Sequence, residues 1–161
     1  MARAEQLLDG FSMSADFYEI DIAGDRIPPA PWINVVANAA GGFTVSERGG
    51  GCTWAENSYF YRLTPWHNDP VSDPVTDAIY LQDADAGALW SATPGPIDSG
   101  APFRVRHGQG YTSFESAHDE IRTHLTLGMA DESPVRVSVL RVTNESSRAR
   151  RLVVTSYLEW T

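Results

Sequence analysis

Lysine is absent from this sequence; all 12 basic residues among its 161 are arginine. Against them stand 21 Asp and Glu, for a formal net charge of -9. The acidity is uneven, with 14 acidic residues and 4 arginines before residue 99, and 7 and 8 from there on. A chain without a basic face is a poor match for a phosphate backbone, so no nucleic acid partner is expected. The single cysteine, Cys52, excludes an internal disulfide and suits a reducing compartment. Long apolar runs are missing too, none approaching the ~20 residues of a membrane helix. Residues 1–6 are polar, and no apolar leader stretch follows them. No membrane contact is expected of this segment.

Several catalytic and ligating patterns are also missing. The glycines at 49–51 are not followed by Gly-Lys-Ser/Thr, so a phosphate loop is not supported, and no Gly-x-Ser-x-Gly elbow occurs. No His-Glu-x-x-His or paired-cysteine spacing appears, and no metal is expected. His118 and His124 fall on one face of an extended strand, but six residues put them about 20 Å apart. Cys52 has no activating neighbours in sequence and reads as a buried thiol.

What remains has the period of strands. Residues 135–142, Val-Arg-Val-Ser-Val-Leu-Arg-Val, mostly alternate apolar and polar, and residues 151–160 do likewise. Further strands are expected at 17–22, 33–37, 42–46, 78–82, 103–107, 111–116 and 120–127. Turn residues separate them, among them Asp85-Ala86-Gly87, Asp98-Ser99-Gly100 and Asn144-Glu145-Ser146-Ser147. Only residues 2–8 look helical. The expected fold class is all-β, an antiparallel β-sandwich, with residues 1–161 forming one such domain or part of one. The sequence ends on a strong strand at Trp160-Thr161, and an exposed apolar final strand invites aggregation. The end is therefore read as a boundary within a longer protein.

Two stretches break the alternation. Pro28-Pro29-Ala30-Pro31-Trp32 is a stiff, extended arm, and residues 63–74 form a polar loop with three prolines. The run from Thr53 to Pro74, TWAENSYFYRLTPWHNDPVSDP, resembles a signature of the glycoside phosphorylases related to cellobiose phosphorylase, glycoside hydrolase family 94. The resemblance is closest to the phosphorylase module of cyclic β-1,2-glucan synthases. Supporting runs occur in the same order: Pro29-Ala30-Pro31-Trp32-Ile33-Asn34-Val35, Val45-Ser46-Glu47, Ile79-Tyr80-Leu81-Gln82-Asp83 and Val105-Arg106-His107-Gly108-Gln109-Gly110-Tyr111. It spans residues 8–161. Cys52 stands where relatives commonly carry an aromatic residue.

The resemblance implies a super-sandwich of two antiparallel sheets, galactose-mutarotase-like, preceding an (α/α)6 barrel that holds the catalytic aspartate and the phosphate site. That barrel is not in this chain, so the fragment is expected to be inactive alone and to need no cofactor. Inorganic phosphate would be the co-substrate of the parent enzyme. An inverting glycosidase pairs an acid with a carboxylate that activates water; a phosphorylase keeps the acid and lets phosphate attack. Asp69, Asp73 and Asp77 lie in or just after the proline-rich loop, but spacing alone does not make them a catalytic pair.

The residues expected to contact substrate or a neighbouring domain are Arg62, Thr64, Trp66, Asn68 and Asp69, with His107 and Gln109 at a second turn. Aromatic rings pack on the C–H faces of sugars, while amide, guanidinium and carboxylate groups pair with hydroxyls. Trp54 and Tyr59 read rather as packing, and Asn68-Asp69-Pro70 also fits plain turn chemistry. The expected partners are a β-glucan oligosaccharide and the catalytic barrel of the same or a partner chain, with a homodimer as a further expectation. The expected place is the cytoplasmic side, in a parent that is an inner-membrane protein. A free-standing carbohydrate-binding module and a purely structural interaction domain are the two rival readings.

Overall fold

The computed structural model describes residues 11–13, 16–24 and 26–161, and the helical reading of residues 2–8 falls outside them. Every regular element among the described residues is a strand: β1 (Phe11–Met13), β2 (Phe17–Ile22), β3 (Ile33–Asn38), β4 (Gly41–Ser46), β5 (Thr53–Ala55), β6 (Asp77–Asp83), β7 (Leu89–Ser91), β8 (Phe103–Gly108), β9 (Tyr111–His118), β10 (Ile121–Met129), β11 (Arg136–Asn144) and β12 (Leu152–Leu158). All nine strands expected from alternation are present. No helix is long and apolar enough to cross a membrane among these residues.

The strands form three sheets, ordered β1-β2-β8-β9-β10-β11, β12-β6-β7 and β3-β4-β5. Each pairing is antiparallel. Alternation assigns the faces. On β10, Ile121, Thr123, Leu125 and Leu127 are buried, while Arg122 is exposed and His124 and Thr126 are half-buried. Register carries the same face across the sheet, with Phe114 opposite both Leu125 and Val105, and Val105 opposite Ile20. This face meets Leu81 and Trp90 of the second sheet and Val36, Phe43 and Val45 of the third in one apolar core. The arrangement is the expected antiparallel sandwich.

One turn differs from expectation. His118 and His124 do not share a strand, because Asp119 and Glu120 adopt left-handed φ values of 45° and 60° and close a hairpin between β9 and β10. A two-residue loop of that hand matches the twist of the paired strands. His118 instead stacks on the Trp90 indole, with ring centroids 4.7 Å apart.

Two arginines fasten the layers. Arg150, its side chain 2% exposed, donates to Asp83 on β6 and to Asp119 in the β9–β10 turn. The Asp83 carboxyl is held down at about 2 by the Ala86 amide, the Arg150 hydrogen bond and the Asp85 amide. Arg136 of β11 reaches further. Its guanidinium pairs with Asp77 of β6, donates to the Thr53 hydroxyl of β5 at 2.9 Å, and lies 4.6 Å from the centroid of the Phe43 ring on β4. One side chain thus touches all three sheets.

The outer edge is less closed. β11 and β12 end their sheets, and Val137, Val139, Val153 and Val154 are 41–59% exposed. Val154 is opposite Leu81 and so belongs to the inward-facing row, where the sandwich opens.

Removing one partner of a fully buried ion pair leaves the other uncompensated, a loss of about 3–5 kcal/mol, and less is expected for Arg136 and Asp77, whose side chains are 19% and 23% exposed. Arg136→Ala is therefore expected to lower the stability read from urea melts by about 2–3 kcal/mol. Arg136→Met with Asp77→Leu, which removes both charges, should recover at least half of it. Equal loss in the single and double variants would show that packing against Phe43, not the charge pair, carries the effect.

Candidate functional site

A cleft of about 130 Å³ opens between the arm before β3 and the loop before β6. Ala30 and Pro31 line it from the arm, Ile33 from the start of β3, and Trp66, His67, Asn68, Asp69 and Pro70 from the loop. Gly51, Asp73 and Pro74 complete it. Neither segment is a strand, so both depend on side-chain fastenings to hold their shape.

The loop fastens itself first. Asn68 and Asp73 take left-handed φ values of 50° and 40°. The Asp69 carboxylate accepts the amide protons of Val71 and Ser72 and the Ser72 hydroxyl, bonds that hold its pKa below the ordinary value. This is the turn chemistry that the Asn-Asp-Pro sequence suggested. The end of the loop is then tied down where the Ser46 hydroxyl donates to Asp73 at 2.5 Å. Ser46 Oγ in turn accepts from the amides of Arg48 and Gly50.

The three glycines at 49–51 now have a reason. A Cβ on Gly50 would collide with the Asp73 carboxylate, and one on Gly51, whose φ is +153°, with the Thr44 carbonyl oxygen. The glycine run lets the carboxylate lie against the backbone of the β4–β5 turn.

The arm is held through Trp32. Its amide donates to Glu47 Oε2 at 2.7 Å, and its carbonyl lies 3.0 Å from His107 Nε2. Glu47 is 1% exposed and His107 8% exposed. Burial pushes the Glu47 carboxyl up to about 7, against the lowering effect of the Trp32 amide, and pushes the His107 imidazole down to about 4. A neutral His107 fits only one tautomer here. Nε2–H donates to the Trp32 carbonyl, and Nδ1 accepts from the Thr112 hydroxyl at 3.1 Å. Asn34 Nδ2 lies 2.9 Å from that hydroxyl oxygen, so donors run in order from Asn34 through Thr112 and His107 to Trp32.

The seven expected contact residues therefore separate. Trp66, Asn68 and Asp69 come together on the cleft, the indole half-buried and the other two exposed. Arg62 stands outside it, donating through Nε to the Ser58 carbonyl, with its guanidinium 5.9 Å from the Tyr59 ring centroid. Gln109 is exposed at the tip of the β8–β9 hairpin and lines no part of the cleft. Thr64 is 1% exposed, and its hydroxyl accepts the Thr53 amide at 2.8 Å, which braces the loop from within. His107 is 8% exposed, and both its ring nitrogens are engaged inside the protein.

Tyr59, read as packing, is 74% exposed, and Phe60 and Tyr61 are 75% and 57% exposed beside it. The three nearby carboxylates have three different settings: Asp69 in its own turn, Asp73 on Ser46, and Asp77 on Arg136. No group of three metal-ligating side chains occurs among the described residues.

Glu47 and His107 give opposite pH dependences over nearly the same range. Folded Glu47 binds its proton up to about pH 7 and unfolded Glu47 only up to 4.5, so its contribution falls as pH rises between those values. Folded His107 stays neutral down to about 4 and unfolded His107 only to 6.5, so its contribution rises with pH there. The stability difference between wild type and Glu47→Gln is expected to shrink by about 3 kcal/mol from pH 4.5 to 7, since each tenfold difference in proton affinity is worth about 1.4 kcal/mol. For His107→Gln the difference should grow over pH 4 to 6.5. Urea melts at four pH values read both slopes, and parallel curves for wild type and either variant would contradict the assignment.

The sequence can now be set beside known proteins. The family model described as glycosyl hydrolase 94, supersandwich domain, matches residues 17–161. A cyclic β-(1,2)-glucan synthase, NdvB, of Rhizobium meliloti (strain 1021) is 38% identical over 154 residues, 94% of this chain and 5% of that protein. An N,N'-diacetylchitobiose phosphorylase of Vibrio proteolyticus is 24% identical over 135 residues, 82% of this chain and 17% of its own length. A solabiose phosphorylase of Paenibacillus borealis is 32% identical over 82 residues, 50% of this chain and 11% of its own length. The chain thus spans a small part of each relative it matches. With an all-β antiparallel sandwich and a family match over nearly all the described residues, this chain belongs to the supersandwich domains of glycosyl hydrolase family 94.

Proposed function

We propose that this domain forms one wall of a glucan-binding site in a larger phosphorylase module, whose chemistry belongs to an (α/α)6 barrel in the same or a partner chain. The size of the cleft carries this reading. Sites that enclose a ligand run from about 300 Å³ upward, and about 130 Å³ holds only one edge of a sugar ring. A half-buried Trp66 with exposed Asn68 and Asp69 beside it supplies a ring face and hydroxyl partners on a fastened loop. The remaining walls come from the neighbour.

On this reading the parent splits a β-glucosidic bond with inorganic phosphate, inverts the anomeric centre and releases α-glucose 1-phosphate. The relative named as a cyclic β-(1,2)-glucan synthase supports β-1,2-glucan as the substrate. The single cysteine, buried and reduced, suits the cytoplasmic side of an inner-membrane parent.

A second reading has its own observation. Tyr59, Phe60 and Tyr61 form an exposed aromatic ridge, with Tyr59 and Phe60 packed edge to face at 4.9 Å, of the kind that seats against protein. There the domain would orient the barrel, or a second subunit, without touching sugar.

Titration calorimetry with β-1,2-glucooligosaccharides separates these. The protein carrying the barrel is expected to bind, and the 161-residue chain alone to give little heat. Trp66→Ala in the longer protein should weaken binding about tenfold, the equivalent of 1.4 kcal/mol. Unchanged affinity in that variant favours the contact surface, and full affinity in the isolated chain favours a free-standing binding module.

A further inference from the structure

We propose that Glu47 and His107 are positioning residues for the cleft: they hold the amide and the carbonyl of Trp32, so that the arm wall stands at a fixed distance from the Trp66 wall. This deepens the wall reading above and rests on it.

Both walls are anchored to adjacent residues of one turn. Ser46 takes the loop through Asp73, and Glu47 takes the arm through the Trp32 amide. The cleft spans these two anchorages, with Gly51 of the same turn in its lining. Thr112 and Asn34 orient His107 from the far side of the arm. Asn34 Nδ2 also lies 3.0 Å and 2.9 Å from the carbonyl oxygens of Gly108 and Tyr111, which fixes the carboxamide on the β8–β9 hairpin. Trp32 is therefore clamped from the third sheet on one side and from the six-stranded sheet on the other.

The anchorage is sensitive to ionisation because of what faces Glu47. From the loop comes Asp73, a like charge, itself pushed above its ordinary pKa by burial and flanked by Asp69. From its own turn comes Arg48, whose attraction is the weakest of the influences on Glu47. From the arm comes only the Trp32 amide, and from β8 His107, neutral over this range. An ionised Glu47 keeps the Trp32 amide as its main support, but the loss of water outweighs that bond, no buried cation faces it among the described residues, and it repels the carboxylate that fastens the opposite wall. Its release towards water would free the arm and widen the cleft. The protonated acid keeps both walls in place.

The test needs no ligand at first. In the 161-residue chain, the Trp32 amide and Trp66 indole resonances are expected to titrate together with a midpoint near pH 7, and Glu47→Gln, which keeps an acceptor for the amide, should abolish the titration while remaining folded. The second arm uses β-1,2-glucooligosaccharide and the protein carrying the barrel. If only the protonated form holds the walls, the competent fraction falls about tenfold between pH 6 and pH 8 and affinity falls with it, a dependence that Glu47→Gln removes. Resonances that do not move in wild type, or move equally in Glu47→Gln, overturn the proposal. A titrating cleft in a protein that binds no glucan at any pH overturns the wall reading instead and leaves the clamp standing.

Discussion

The Arg136 guanidinium lies where three sheets meet and binds groups on two of them from its own strand in the third. A sandwich that includes two separate three-stranded sheets has a weakness between them, because no ladder of backbone hydrogen bonds joins them. Apolar contact alone resists sliding poorly, since it is non-directional. A guanidinium is planar and directional. With Asp77 on one three-stranded sheet, Thr53 and Phe43 on the other, and its own backbone in the six-stranded sheet, Arg136 fixes their relative positions. Burial costs it: the pKa is pushed down, and Nε has no hydrogen-bond partner among the described residues. A partly buried ion pair of this sort adds little net stability over an apolar pair, but its geometry is directional.

That placement matters to the cleft. The loop carrying Trp66 leaves β5 and ends at β6, so it bridges the two small sheets that Arg136 joins. Thr64 fastens the start of the loop to the amide of Thr53, the same residue whose hydroxyl receives Arg136. Asp73 fastens its end to Ser46 on β4. The cleft wall is thus built from irregular chain stretched between elements whose spacing is already set. This is the usual solution where a loop must present groups in one conformation.

How far the sequence disclosed this follows from what each feature depends on. Alternation is local, and the nine longer strands could be read from it; β1, β5 and β7 have three residues each and too few positions to show a period. The proline-rich loop was legible as a loop, and Trp66, Asn68 and Asp69 as its outward groups. His107 and Thr64 looked available by their polarity, and only tertiary contacts reveal that their hydrogen bonds are already taken inside the domain. Tyr59 erred the other way, since an aromatic residue in a compact domain is ordinarily packed. Glu47 stood out only as part of the Val45-Ser46-Glu47 run, and nothing in the sequence marked it as buried. A charged residue just after a strand looks like a solvated turn, and its burial arises from an arm fifteen residues earlier folding across it.

The distribution of closed and open surface bears on what the domain is for. Around the turn at residues 46–51 nearly every polar group is engaged, and the glycines admit a carboxylate where a side chain would not fit. On the ridge at Tyr59–Tyr61, large apolar groups are left in solvent. Exposed apolar surface of this extent is uncommon on a protein that works alone. A free-standing sugar-binding module would be expected to show the opposite pattern, with its apolar edges covered and a single concave, aromatic-lined groove left open. A small, firmly held cleft beside an uncovered aromatic ridge is what the proposed wall of a composite site would require: groups meant to meet a ligand could not drift, and the surface beside them would be open to a neighbour completing the enclosure.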